Sequence, residues 1–326
     1  MVGGQLPPAA AVPAPDRRAD RSCDRLRSLG PGEVADRMLD LRRLGLISLD
    51  FASPQECLEA TRSRGFGWME AYIDGVANDD VHSLVRWSIK RGVTVSTLST
   101  LSKLGSSEDD ADRHIAAVER SILLAAETGV ARAGFMYGGS STLGEVAARR
   151  RFAERIEPLL GMAESLGVRL VIENVFSRGT GVDLESVAAI EELFAVLPPR
   201  AIGLTFDPAN LAIAGEEAYP YALARLREHC AVIHLKDVTR HVPETHGTEA
   251  DCRPLVESRR GRFITVPLGE GSLNMLALAG ELLASDDDTP LLLEPFRSGA
   301  SREAWIDRSL ANLSRPALVD SGARNG

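Results

Sequence analysis

The stretch VRLVIENVFSRGTGVDLESVAAIEELFAVLPPRAIGLTFD, Val168 to Asp207, decides the fold. It opens on an apolar, β-rich run, Val168–Asn174, passes through an amphipathic segment, Leu184–Leu197, and closes on a second apolar run, Ala201–Asp207. Strands joined through a helix run parallel, because parallel neighbours need a long crossover connection. Outward from this unit the pattern repeats. Further strands are expected at Leu46–Phe51, Gly67–Ile73, Gly92–Leu98, Ala131–Met136, Ala231–Lys236 and Thr289–Glu294. Helices are expected at Pro54–Arg64, Val81–Arg91, Ala111–Thr128, Leu143–Leu166, Ala218–His229, Leu273–Ala284 and Arg302–Leu313, after a lead-in helix around Glu33–Leu44. Gly65, Gly92, Gly129 and Gly167 fall between a helix and the next strand, where glycine stops helices.

Eight strand–helix units in roughly 280 residues fit a closed α/β barrel, a (β/α)8 TIM barrel, better than an open doubly wound sheet. An open sheet usually carries a glycine-rich phosphate loop after its first strand, and that place here reads Ala52-Ser53-Pro54-Gln55. The expected division is a flexible N-terminal extension over 1–32, the barrel over 33–314, and a C-terminal tail over 315–326.

Composition narrows the function classes. Of 326 residues, 44% are hydrophobic and 25% charged, a balance that excludes a mostly disordered chain. No apolar run is long enough for a transmembrane helix. A net charge of -9 argues against a general nucleic-acid surface, while leaving room for a local basic pocket. Cys23, Cys57, Cys230 and Cys252 are scattered without a CxxC pair, as reduced thiols in a cytoplasmic protein would be. The Ala- and Pro-rich start lacks the basic and apolar regions of a signal peptide.

In such a barrel the active site lies at the C-terminal ends of the strands. Four of the last runs stop at a potential metal ligand: Glu173, Asp207, His234 and Glu294. Any one carboxylate there is as readily a helix cap or a solvated loop residue, and a lone histidine in an apolar strand is more often hydrogen-bonded core. Together, four burial-averse groups on consecutive strands would each cost several kcal/mol without a partner, and a divalent cation is the simplest one. Three carboxylates and an imidazole suit Mn²⁺, Mg²⁺ or Co²⁺, with Zn²⁺ admissible at higher coordination.

These residues carry a resemblance. Val171-Ile172-Glu173-Asn174, Leu204-Thr205-Phe206-Asp207-Pro208-Ala209-Asn210, Ile233-His234-Leu235-Lys236-Asp237, Pro267-Leu268-Gly269-Glu270-Gly271 and Leu293-Glu294 resemble the sugar phosphate isomerase/epimerase family, the xylose-isomerase-like TIM barrels. The resemblance covers about residues 40–313. It implies one divalent metal on Glu173, Asp207, His234 and Glu294, with the two glutamates doubling as acid and base. Ketose 3-epimerases of this family place a histidine where this chain has Asn210 and a glutamate where it has Gly179, whereas their arginine is matched by Arg240. The metal site is intact, but a free-ketose 3-epimerase is not matched throughout.

A substrate chelated through a carbonyl and an adjacent hydroxyl could lose a proton to one glutamate and regain one from the other. Epimerisation, isomerisation and dehydration all use that arrangement, and the sequence does not choose among them. A metal-dependent isomerase or epimerase of a sugar, sugar phosphate or related polyol is the leading expectation. A lyase resembling the inosose or 3-dehydroshikimate dehydratases is the alternative. A DNA-repair barrel like endonuclease IV would need extra histidines where Glu70 and Ser99 stand, and a metal-free binding barrel would be expected to have lost a ligand. The implied partner is a small carbohydrate or polyol, without nucleic acid or membrane, and a homo-oligomer is compatible with the family.

Other positions read two ways. Lys236 shares a strand face with His234, so it either donates to a substrate oxygen or forms an internal ion pair. Glu70 lines the pocket or is a solvated strand end; Arg297 grips an anion or makes a surface ion pair. Asn174 orients a ligand or ends its strand, and Gly269 and Gly271 make a tight turn. Thr239–Ile264 is a long polar connection with five arginines after the seventh strand, expected to be either a lid over the mouth or a solvated loop.

Overall fold

The computed structural model describes residues 39–105, 108–138, 145–176, 184–246, 255–296 and 299–315. The extension over 1–32 and the tail beyond Arg315 lie outside the described residues. In chain order the strands are β1 (Leu44–Ile47), β2 (Trp68–Tyr72), β3 (Thr94–Lys103), β4 (Arg132–Met136), β5 (Arg169–Glu173), β6 (Ile202–Phe206) and β7 (Cys230–Leu235). Then come β8 (Asp237–Arg240), β9 (Leu255–Ser258), β10 (Gly261–Val266) and β11 (Leu291–Leu293). Eight of them close a parallel barrel in the order β1-β11-β7-β6-β5-β4-β3-β2. Helices intervene between the barrel strands, so the chain forms a (β/α)8 TIM barrel.

The strands read as continuous apolar runs because both of their faces are covered, by the barrel interior and by the helices. Leu170, Val171 and Ile172 of β5 are fully buried, as are Leu291, Leu292 and Leu293 of β11. Along the arc from β5 to β11 the register shifts once, in the β6–β7 pairing between Leu204 and Thr205. Glu173 pairs with Thr205, Phe206 with Ile233, and His234 with Leu292. Local signals set the helix ends. Ser53 caps Pro54–Ser63 by accepting from the Glu56 amide, and Gly167 takes φ +71° where the chain leaves Glu145–Ser165 for β5.

Several elements differ from the sequence reading. Leu44 opens β1 instead of ending a helix, and only Leu41–Arg43, a single 3-10 turn, is helical among the described residues before it. The start of that expected helix, 33–38, lies outside the described residues. The run Leu46–Phe51 leaves the sheet at Ser48, whose hydroxyl accepts from the Tyr72 amide, and turns through Ser48–Asp50. The single helix expected over Ala218–His229 is three short pieces, Ala218–Ala222, Leu223–Leu226 and Arg227–His229. Pro220 is the cause: it has no N–H to give, and the residue before it, Tyr219, is held extended at φ -146°, ψ 133°.

The connection Thr239–Ile264 departs furthest from expectation. Instead of a plain polar loop, both of its ends belong to a three-stranded antiparallel sheet, β8-β10-β9, while 247–254 lie outside the described residues. Val238, Val256 and Phe263 turn one face of this sheet onto Ala209 and Ile213 of the helix Pro208–Ala214 and bury there. Arg240, Arg259, Arg260 and Arg262 are exposed, and Arg253 lies outside the described residues.

Candidate metal centre

Each of the four candidate side chains is delivered by a strand end. Glu173 closes β5, Asp207 follows β6, His234 lies in β7, and Glu294 follows β11. These are consecutive strands of the barrel, so the side chains share one sector of its mouth. One donor atom from each lies within 4.8 Å of the other three, and all four residues are buried.

Short polar contacts fix the geometry. Asp207 divides its oxygens: Oδ1 accepts the Asn210 amide at 3.0 Å, capping the helix that Pro208 begins, which leaves Oδ2 for the cluster. Asn174 ties β5 to β6, donating from Nδ2 to the Asp207 carbonyl at 2.9 Å and accepting the Asp207 amide at 2.8 Å. Asn210 Nδ2 donates to Glu173 Oε1 at 3.2 Å and to the Asn174 carbonyl at 3.0 Å. Lys236 makes internal ion pairs, with Nζ 2.5 Å from Asp207 Oδ2 and 3.1 Å from Glu294 Oε1.

His234 sits between carboxylates. Its Nε2 is 2.8 Å from Glu70 Oε2, and its Nδ1 is 3.2 Å from Glu294 Oε2 and 3.6 Å from Glu173 Oε1. Among the described residues, four buried carboxylates, Glu70, Glu173, Asp207 and Glu294, therefore face two side chains that can be cationic, His234 and Lys236. Burial raises the pKa of Glu173 and of Asp207. Burial acts the same way on Glu294, but the Lys236 charge and His234 outweigh it and hold Glu294 at about 2. Burial alone would depress the His234 pKa; Glu70, Glu173 and Glu294 reverse this and push it well above its ordinary value.

The donor set passes a direct test of fit. His234 Nδ1, Glu294 Oε2 and Asp207 Oδ2 are buried without a well-formed hydrogen bond, although polar atoms crowd around them. Buried polar atoms in that state are costly. A divalent cation among them would satisfy all three at once and offset the excess negative charge. A buried carboxylate and histidine cluster able to hold a divalent metal is thus present.

The remaining candidates divide. Glu70 is buried, with Oε1 receiving the Ser99 hydroxyl at 2.5 Å and Oε2 facing His234. Arg240 stands apart, exposed on β8 with its guanidinium 5.5 Å from the Phe263 ring centroid. Arg297 and Gly179 lie outside the described residues. Sequence reading passed over Asp50, at the end of the turn after β1. It accepts the Phe296 amide at 2.8 Å, and burial first, then the nearby Glu294 charge, lifts its pKa to about 7. The signal was an acidic residue closing the first strand run, masked because that run leaves the sheet early.

A family model described as "Xylose isomerase-like TIM barrel" matches residues 58–315, most of the chain. The chain belongs to that family. Among curated relatives, "Inosose dehydratase 2" of Bacillus cereus is 29% identical over 165 residues, 48% of this chain and 53% of that protein. The chain thus spans about half the length of this relative. Among solved structures, the probable 3-DHS dehydratase AsbF of Bacillus anthracis aligns with a TM-score of 0.64 at 15% identity, covering 83% of this chain and 98% of that one. The 3-keto-D-glucoside 4-epimerase of E. coli aligns with a TM-score of 0.62 at 16% identity, covering 83% and 98%. At such identities the two structures speak for the shared fold. Among the described residues, no helix is long and apolar enough to cross a membrane.

Proposed function

We infer that this protein is a divalent-metal-dependent enzyme that removes the proton beside a carbonyl in a polyhydroxylated small molecule, with loss of water as the outcome. The convergence of Glu173, Asp207, His234 and Glu294, with His234 Nδ1 and Glu294 Oε2 left without a hydrogen bond among the described residues, carries the reading. These four residues would hold the ion. The oxygen-rich set favours Mn²⁺, Mg²⁺ or Co²⁺ and also admits Zn²⁺. Such an ion supplies Lewis acidity, stabilising negative charge that develops on a substrate oxygen.

The protein's own groups account for the proton traffic. Glu173 and Glu294 reach the space around His234 Nδ1 from β5 and β11, so one can take the proton from the carbon next to the carbonyl. The electron pair left behind forms a double bond as the neighbouring C–O bond breaks. The departing hydroxyl takes up a proton and leaves as water, delivered by the other glutamate in its protonated form. Lys236, fixed between Asp207 and Glu294, is suited to donate a hydrogen bond to a substrate oxygen, and Asn210 holds Glu173 in place. Arg240 and Arg297 remain candidates for the outer parts of the substrate.

The sequence reading put isomerisation or epimerisation first. Similarity to the inosose dehydratase of Bacillus cereus moves dehydration forward, as do Asn210 and Gly179 where ketose 3-epimerases have a histidine and a glutamate. Epimerisation is the second reading, favoured by two glutamates beside one imidazole nitrogen, the arrangement for taking a proton on one face and returning it on the other.

The test is incubation with Mn²⁺ in D₂O against inososes, dehydroshikimate and keto sugars, followed by NMR. An unsaturated product is expected; an inverted, deuterated carbon without unsaturation would select the second reading. Glu173→Gln and Glu294→Gln should each abolish turnover while preserving the fold. Activity that survives both substitutions and EDTA would refute the reading as a whole.

A further inference from the structure

The geometry points to Glu70 as a positioning residue that holds the His234 ring with Nδ1 as its metal-donor atom. This rests on the metal-centre reading and adds to it a residue on the far side of the barrel.

A carboxylate only accepts hydrogen bonds, so the 2.8 Å contact between Glu70 Oε2 and His234 Nε2 places a proton on Nε2. In the neutral ring Nδ1 then carries the lone pair. That atom is buried without a hydrogen bond of its own and faces the oxygens of Glu294 and Glu173 at 3.2 and 3.6 Å. Facing two carboxylates, Nδ1 holds either a proton or, once that proton is displaced, a cation. Turning the ring over would present carbon to the acids and break the bond to Glu70.

Glu70 is itself held. Ser99 donates to its other oxygen, so both oxygens are engaged and the side chain is only 2% exposed. Ser99 in turn packs on Gly134 of β4, where a Cβ would come within 2.1 Å of its hydroxyl oxygen. In the barrel, β2 and β7 are separated by β1 and β11, so the Glu70–His234 contact crosses the interior. It fixes the ring from the side opposite the acids. Carboxylate partners of this kind set the tautomer and orientation of ligating histidines, and their loss weakens metal binding roughly 10–100-fold.

The experiment uses the full chain, stripped with chelator and titrated with Co²⁺. Affinity is read by competition with a chelating dye, and coordination by the visible absorption of bound Co²⁺. The parent protein should bind one Co²⁺. Glu70→Ala should weaken binding by roughly 10–100-fold and alter the spectrum. Glu70→Gln should stay within about threefold of the parent with the parent spectrum, because the amide oxygen still accepts from Nε2. Ser99→Ala, which removes one hydroxyl and leaves Glu70 and every candidate ligand in place, should weaken binding several-fold. Parent-like affinity in Glu70→Ala or Ser99→Ala would overturn the proposal, as would a loss in Glu70→Gln equal to that in Glu70→Ala. A parent protein that binds no Co²⁺ would instead sink the metal-centre reading.

Discussion

Lys236 shows at the scale of one residue how the site is balanced. Its ammonium neutralises Asp207 and Glu294, two of the three acids that would hold the ion, and Asp207, Glu294 and Glu173 overcome the effect of burial to raise its pKa. Lys236→Met should therefore destabilise the metal-free protein by about 3 kcal/mol, since removing one partner strands buried charge. The same substitution should tighten metal binding, because a competing cation is gone. Urea unfolding with and without Mn²⁺ measures both; equal stability of parent and variant in chelator would refute the account. Both readings of Lys236 were open in the sequence, since spacing puts it on the face of His234 without naming its partners. Glu173, Asp207, His234 and Glu294 were legible because each interrupts an apolar run at its C-terminal end. The contact of Glu70 with His234 was not, because 164 residues separate them and only barrel closure brings them together.

At the scale of an element, the turn after β10 depends on Asp237. Its carboxylate accepts backbone N–H groups from Val238, Gly269, Gly271 and Leu273, and so joins the start of β8 to the chain that leads into Met275–Ala284. Burial nevertheless pushes its pKa up to about 6. A Cβ on Gly271 would stand 1.9 Å from Asp237 Oδ1 and 2.7 Å from the Val238 carbonyl. Gly271→Ala should thus displace the carboxylate and cost about 2–4 kcal/mol, as other losses of buried hydrogen-bond networks do. Denaturant midpoints measure this, and a midpoint like that of the parent would show that the turn adapts. Sequence pattern identified that turn but misjudged the segment before it. In β9 and β10 the apolar Val256 and Phe263 are interleaved with arginines and glutamate, so a one-sided sheet reads in sequence as a polar connection, a lid or a solvated loop. The helix expected over Ala218–His229 failed for a local reason, Pro220, whose effect on Tyr219 outweighed an otherwise helical composition.

The whole molecule was the most legible level, because covered parallel strands impose runs of apolar residues and the βα alternation admits few topologies. Closure also makes the site a property of the entire barrel: its candidate ligands come from β5, β6, β7 and β11, and its histidine meets Glu70 of β2. Metal should accordingly stabilise the whole barrel against global unfolding. At a free Mn²⁺ concentration a hundredfold above Kd, mass action adds about 2.7 kcal/mol, or roughly 5 °C in Tm for a chain of this size. Differential scanning calorimetry should show that rise and its reversal by EDTA; a Tm indifferent to Mn²⁺ would separate the three acids and the imidazole from any resident ion.

The ion pairs of Lys236 also bear on how the protein lives between ions. A cavity lined only with acids would spring open once its cation departed, and refilling would then wait on refolding. Here an amine just beyond β7 lies between Asp207 and Glu294 as a built-in counterweight, so a metal released from this mouth would leave two of its acids still neutralised and would not need to dismantle the barrel.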